Sequence, residues 1–101
     1  METPNGHARM SKVALYEFLG TALFLTGILM TNNSMSVAFS LFASILIFGG
    51  VTGGHFNPAV TLGVYIQEGK YQQNLKFFLL IVASQICGGL FAQMCARTVL
   101  Y

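Results

Sequence analysis

Read along the chain, apolar positions gather into three long blocks separated by short polar stretches, with no alternation of the kind a strand shows. The first block runs over 13–30 and is interrupted by one acid, Glu17. The second covers 36–51 and contains no charge. The third, 75–99, carries Ser84, Gln85 and Gln93 among its apolar residues. A block of about 18 or more apolar residues is long enough to span a bilayer, and inside lipid a helix satisfies its own backbone. The pattern therefore predicts three transmembrane helices. Between the second and third lies 52–67, too apolar for a solvated loop and too short to cross. It predicts a re-entrant segment.

Composition agrees with this. Of the 101 residues, 54% are apolar and 8% charged, against roughly 25% charged in an average globular chain. Mean hydropathy is +0.66. The net charge of +2 is not gathered into a basic stripe, which argues against nucleic acid as a partner. Cys87 and Cys95 stand eight positions apart on one predicted helix, about 12 Å of rise and too far for a disulfide. No metal-ligand spacing, nucleophile–base pair or phosphate-binding loop is present, so neither an enzyme nor a cofactor is expected.

Charge also sets an expected orientation. Four of the five basic residues, Arg9, Lys12, Lys70 and Lys76, fall at the N-terminus or in the connection before the third block. The positive-inside rule puts both on the cytoplasmic side, with Asn32-Asn33-Ser34 and the C-terminus opposite. Residues 1–11 read as a disordered cytoplasmic tail, since Pro4, Asn5 and Gly6 discourage regular structure. The first block is long for a signal peptide and ends without a small-residue cleavage site, so it reads as a retained helix.

The re-entrant segment holds the chemistry. Gly53-Gly54 breaks the second helix, and Asn57-Pro58 reads as a helix start: Asn is a favoured N-cap, and Pro suits the first helical position. From Pro58 to Gln67 is about 15 Å of helix, half of a roughly 30 Å hydrocarbon core. Such a helix begins near the midplane with its positive end pointing there. Irregular backbone at that depth is tolerated against protein or a water-filled cavity. The carbonyls of Gly53, Gly54, His55 and Phe56 can then accept hydrogen bonds from water, and the Asn57 amide can donate one. The positive helix end repels cations, while a small neutral solute feels little of it.

These residues carry a resemblance. Thr52-Gly53-Gly54-His55-Phe56-Asn57-Pro58-Ala59-Val60-Thr61 resembles the signature Ser-Gly-x-His-x-Asn-Pro-Ala-Val-Thr of the aquaporin, or major intrinsic protein, family, departing only by Thr for Ser. Glu17-Phe18-Leu19-Gly20-Thr21 and Ser84-Gln85-Ile86-Cys87-Gly88-Gly89 are similar to the family's first- and third-helix motifs, and Gly69-Lys70 to the loop after its half-helix. The resemblance implies an all-α membrane protein, with three transmembrane helices plus one re-entrant half-helix, forming residues 12–101. It implies a channel for water or small neutral solutes such as glycerol. Asn57, Pro58 and Ala59 would form the pore motif, with Gly53 to Phe56 as pore-lining carbonyls. Glu17 and Gln85 would support the loop, the latter alternatively bonding only between helices. The constriction residue on the second helix falls on Val37, or on Phe39 if the count shifts by two. Gly20, Gly49, Gly50, Gly88 and Gly89 would allow close helix packing, and His55 would act through its carbonyl and not its side chain. Family members contain two inverted repeats and assemble as tetramers, whereas these 101 residues hold one Asn-Pro-Ala. A partial copy needing a second half-repeat or a homo-oligomer in the bilayer is expected; a non-conducting membrane subunit is the other reading.

Overall fold

The computed structural model describes residues 6–101, which form four helices: α1 (His7–Met30), α2 (Ser34–Thr52), α3 (Pro58–Glu68) and α4 (Leu75–Leu100). No strand occurs among the described residues. Three helices are long and apolar enough to cross a membrane: 22 residues of α1 from Arg9, the 19 of α2 and the 26 of α4, with mean hydropathies of 1.8, 1.9 and 1.9. The chain is an all-α integral membrane protein.

The helix ends follow from local chemistry. Asn33 caps α2, its side chain accepting the Ser36 N–H at 3.0 Å. At the other end Gly53 takes φ 91°, and its N–H returns to the Gly49 carbonyl at 2.9 Å. That left-handed geometry closes a helix cheaply only at glycine. Asn57 caps α3, accepting the Ala59 N–H at 2.8 Å, with Pro58 in the first turn and Gly69 at φ 71° closing the far end. The start of α1 differs from the expected tail. Helix begins at His7, so residues 7–11 are helical: His-Ala-Arg-Met-Ser holds no breaker after Gly6, and Ala, Arg and Met are good helix formers. Residues 1–5 of the expected disordered tail lie outside the described residues.

The central helix is α1, packed against α2 on one side and α4 on the other, while α3 packs on α4. Small residues let the backbones approach, as helices in lipid require. A Cβ added to Gly88 would sit 2.5 Å from the Phe18 carbonyl oxygen, and one on Gly27 would strike the Ser40 side chain. Between α1 and α2 the glue is hydroxyl: Ser44 Oγ lies 2.9 Å from the carbonyl oxygens of both Gly20 and Ser40. Apolar contact at the α1–α4 seam comes from Val13, Phe77 and Ile81, with Met10 against them. Of the glycines expected to serve packing, Gly50 faces open space and Gly89 has room for a methyl group. Most of α2 points outward, with Phe39, Leu46 and Ile47 all at least 60% exposed, as suits a helix solvated by lipid or by another protein.

Candidate functional site

Residues 53–56 form the irregular turn between α2 and α3. Three of them have positive φ: Gly53 (91°), Gly54 (73°) and Phe56 (52°). The Gly54 N–H donates to Thr52 Oγ1 at 3.0 Å, so the hydroxyl kept by Thr52 satisfies a turn donor. No backbone N–H of the described residues donates to the carbonyls of Gly53, Gly54, His55 or Phe56. The Asn57 carbonyl, by contrast, takes the Thr61 N–H at 3.1 Å and belongs to α3. Because Asn57 Oδ1 is engaged as the cap, its remaining side-chain capacity is the amide's two N–H donors.

Behind the turn four segments meet in one buried polar network. Glu17 from α1 is 0% exposed and Gln85 from α4 is 1% exposed. Glu17 Oε1 accepts the Phe56 N–H at 3.0 Å and a Gln85 Nε2 proton at 2.8 Å. The second Gln85 Nε2 proton goes to Thr61 Oγ1 at 2.7 Å, on α3. Thr61 Oγ1 also lies 3.0 Å from His55 Nδ1 and 3.3 Å from the Asn57 carbonyl oxygen. One carboxylate and one amide thus tie α1, the turn, α3 and α4 together. Buried polar groups persist where they are bonded to each other. Glu17 Oε2, Thr21 Oγ1 and Gln85 Oε1 have no partner among the described residues.

The structure brings Glu17, His55, Phe56, Asn57 and Gln85 into one constellation, with Gly53, Gly54, Pro58 and Ala59 contiguous to it. Two side chains gain contacts beyond those expected from sequence. His55, read for its carbonyl, also holds Thr61 with its ring. Gln85, read as either loop support or helix contact, reaches both Glu17 and Thr61. Thr61 is the residue that sequence reasoning passed over, although Asn57 and Thr61 are one turn apart and a 0%-exposed threonine in a capped half-helix is a ready hub. Val37 and Phe39 lie about 200° apart around α2, so they occupy different faces. Val37 is half-buried and close to the face of Ser40 and Ser44, which touch α1. Phe39 is 60% exposed on the other side.

Comparison with known proteins fits this arrangement. The profile of the family described as Major intrinsic protein matches residues 5–101. An aquaporin-8 from Notomys alexis is 38% identical, covering 82% of this chain and 35% of that protein. A glycerol uptake facilitator protein from Pseudomonas aeruginosa is 30% identical, covering 86% of this chain and 34% of its own length. An aquaglyceroporin from Toxoplasma gondii is 36% identical over 55 residues, 54% of this chain and 20% of that protein. The chain thus spans about a third of the length of these aquaporin-8 and glycerol uptake facilitator relatives. No solved structure gives a significant match. With a glycine-broken turn, an Asn-Pro-capped half-helix and a profile match over nearly its whole length, the chain belongs to the major intrinsic protein family.

Proposed function

We propose that the chain supplies one half of a membrane channel for water or small neutral solutes, completed by a second half-repeat. The observation that carries this is the turn at 53–56: four consecutive carbonyls free of backbone donors, followed at once by a capped helix start. At 11 residues, α3 is about 16 Å long, half the hydrocarbon thickness. With its far end at the charged 68–76 connection, its amino end reaches the bilayer midplane. There the free carbonyls accept hydrogen bonds from a file of water, Asn57 Nδ2 donates at the centre, and the positive helix end opposes cations.

Glu17, Gln85, Thr61 and the His55 ring serve this reading as supports: they hold the turn from behind and leave its carbonyls unused. Val37, on the inward half of α2, is the better candidate for the constriction than Phe39. A small aliphatic there leaves a wider opening than an aromatic would. Relatives named for glycerol uptake and relatives named aquaporin both match, so the resemblance spans the neutral class, and Val37 is the side chain this reading assigns to the choice within it. The N-terminus and the 68–76 connection lie in the cytoplasm and the α2 cap outside, following the basic residues. A family-like tetramer is the assembly this reading implies.

The test is osmotic swelling of vesicles by stopped flow. Vesicles holding this chain together with a polypeptide bearing the complementary Asn-Pro-Ala half-repeat are expected to equilibrate faster than vesicles holding either alone. Asn57→Asp, which places a negative charge at the centre, is expected to abolish the gain. Rates equal to empty vesicles for every combination would reduce the chain to a membrane subunit that keeps the fold without conducting.

A further inference from the structure

We propose that the side chain of Phe56, and not only its backbone, is a positioning residue: its ring keys the turn into a notch on α1 and so sets the direction of the free carbonyls. The proposal rests on the pore reading of those carbonyls and assigns them a holder. Phe56 is the one non-glycine among the described residues with positive φ, at 52°. That region carries a Cβ clash which glycine escapes, and an aromatic residue stays there only if its surroundings hold it. It is also the largest fully buried side chain among the described residues, at 0% exposure.

What holds it is visible at Gly20. A Cβ on Gly20 would overlap Cδ1, Cε1 and Cζ of the Phe56 ring, so the ring fills the space that the missing side chain leaves on α1. The opposite ring edge reaches back to the turn, with Cε2 3.7 Å from where a Gly54 Cβ would stand. The same residue's N–H donates to Glu17 Oε1 at 3.0 Å. Glu17 and Gly20 are three residues apart on α1, hence on one face. Phe56 is therefore attached at two points, by its N–H to Glu17 and by its ring at Gly20. A single hydrogen bond leaves a peptide plane free to rock about it. A second attachment one helical turn away removes that freedom, and the left-handed φ follows. Gly20 also receives the Ser44 hydroxyl on its carbonyl, so the notch is fixed by α2 as well.

Amide hydrogen exchange of the isotope-labelled chain in lipid nanodiscs tests this without any flux. Phe56→Gly deletes the ring while admitting a φ of 52° free of strain. Exchange at residue 56 should accelerate roughly 100-fold, with the amides of α1 and α4 still protected. Exchange within about threefold of the parent would show that the backbone and Glu17 suffice, and would overturn the proposal. Gly20→Ala puts a methyl group into the ring's place and should produce the same local loss. Adding Phe56→Leu to Gly20→Ala, a smaller side chain against the larger wall, should recover about tenfold of it. Should Phe56→Gly fail to fold, Phe56→Leu alone decides, with an intermediate local acceleration expected and none overturning the idea. Vesicles that never conduct would count against the channel reading, whereas unaltered exchange at residue 56 would count against the ring.

Discussion

Glu17 shows what one buried polar residue controls. Its Oε1 satisfies two donors from distant parts of the chain, the Phe56 amide and the Gln85 side chain. Removing an acceptor leaves both donors buried and unpaired, each at about 1–3 kcal/mol. Glu17→Ala should therefore lower stability by about 3 kcal/mol in denaturant titrations of the chain in bicelles. Glu17→Gln, which can keep one carbonyl oxygen toward the same donors, should cost under about 1.5 kcal/mol. Equal losses for the two substitutions would mean that the charge, and not the acceptor geometry, is what the network needs. Thr61→Val probes the same hub from α3. It keeps the shape but removes the hydroxyl that Gln85 Nε2 and His55 Nδ1 share, so a loss of about 1–2 kcal/mol is expected. A null effect would place Thr61 outside the network's energetics.

At the scale of elements, close approach of backbones decides which glycines matter. A methyl group on Gly88 would meet the Phe18 carbonyl oxygen at 2.5 Å, and a backbone atom cannot step aside as a side-chain tip can. Gly88→Ala should force α1 and α4 apart and destabilise the chain by at least about 2 kcal/mol. Gly63 is also helical but has nothing within 4 Å of the added atom, so Gly63→Ala should be neutral or stabilising by up to about 1 kcal/mol. Thermal unfolding followed by circular dichroism checks the pair, and similar losses at both sites would remove the packing argument. The contrast also marks the limit of what sequence conveys. The three long apolar blocks, the Gly-Gly break and the Asn-Pro cap were legible because each is a local rule of hydropathy, backbone freedom or capping. Which glycine faces a neighbour is a matter of helix rotation, so Gly50 and Gly88 look alike in sequence and differ in space. Thr61's local partners, His55 and the Asn57 carbonyl, are within six positions, but Gln85, which links it to Glu17 on α1, is 24 positions on and reaches it only through the packing of α4. The start of α1 at His7 is hidden in the sequence because the breakers Pro4, Asn5 and Gly6 stand directly before it.

For the whole molecule the orientation in the bilayer determines which way the half-helix enters, and the proposed orientation rests on the distribution of basic residues. The turn Thr31-Asn32-Asn33 is uncharged, whereas the 69–74 connection carries Lys70 and is flanked by Glu68 at the end of α3 and Lys76 at the start of α4. The cytoplasmic face carries the excess of basic residues, with Arg97 in the last turn of α4 the exception on the other side, so α3 should enter from the cytoplasm and reach the midplane with Asn57 leading. Site-directed labelling with a membrane-impermeant maleimide decides this, in a background where Cys87 and Cys95 are replaced by Ser. Asn32→Cys is chosen for the outer side because Asn33 is engaged as the α2 cap. Gln72→Cys represents the connection at an exposed position, leaving in place the Tyr65 and Tyr71 hydroxyls that bond to its backbone and to the end of α3. Intact cells should label Asn32→Cys alone, and inverted vesicles Gln72→Cys alone. Labelling of both from one side would break the three-crossing topology. Labelling of each from both sides would mean dual insertion, and two copies of this chain could then face one another as inverted halves of a single pore.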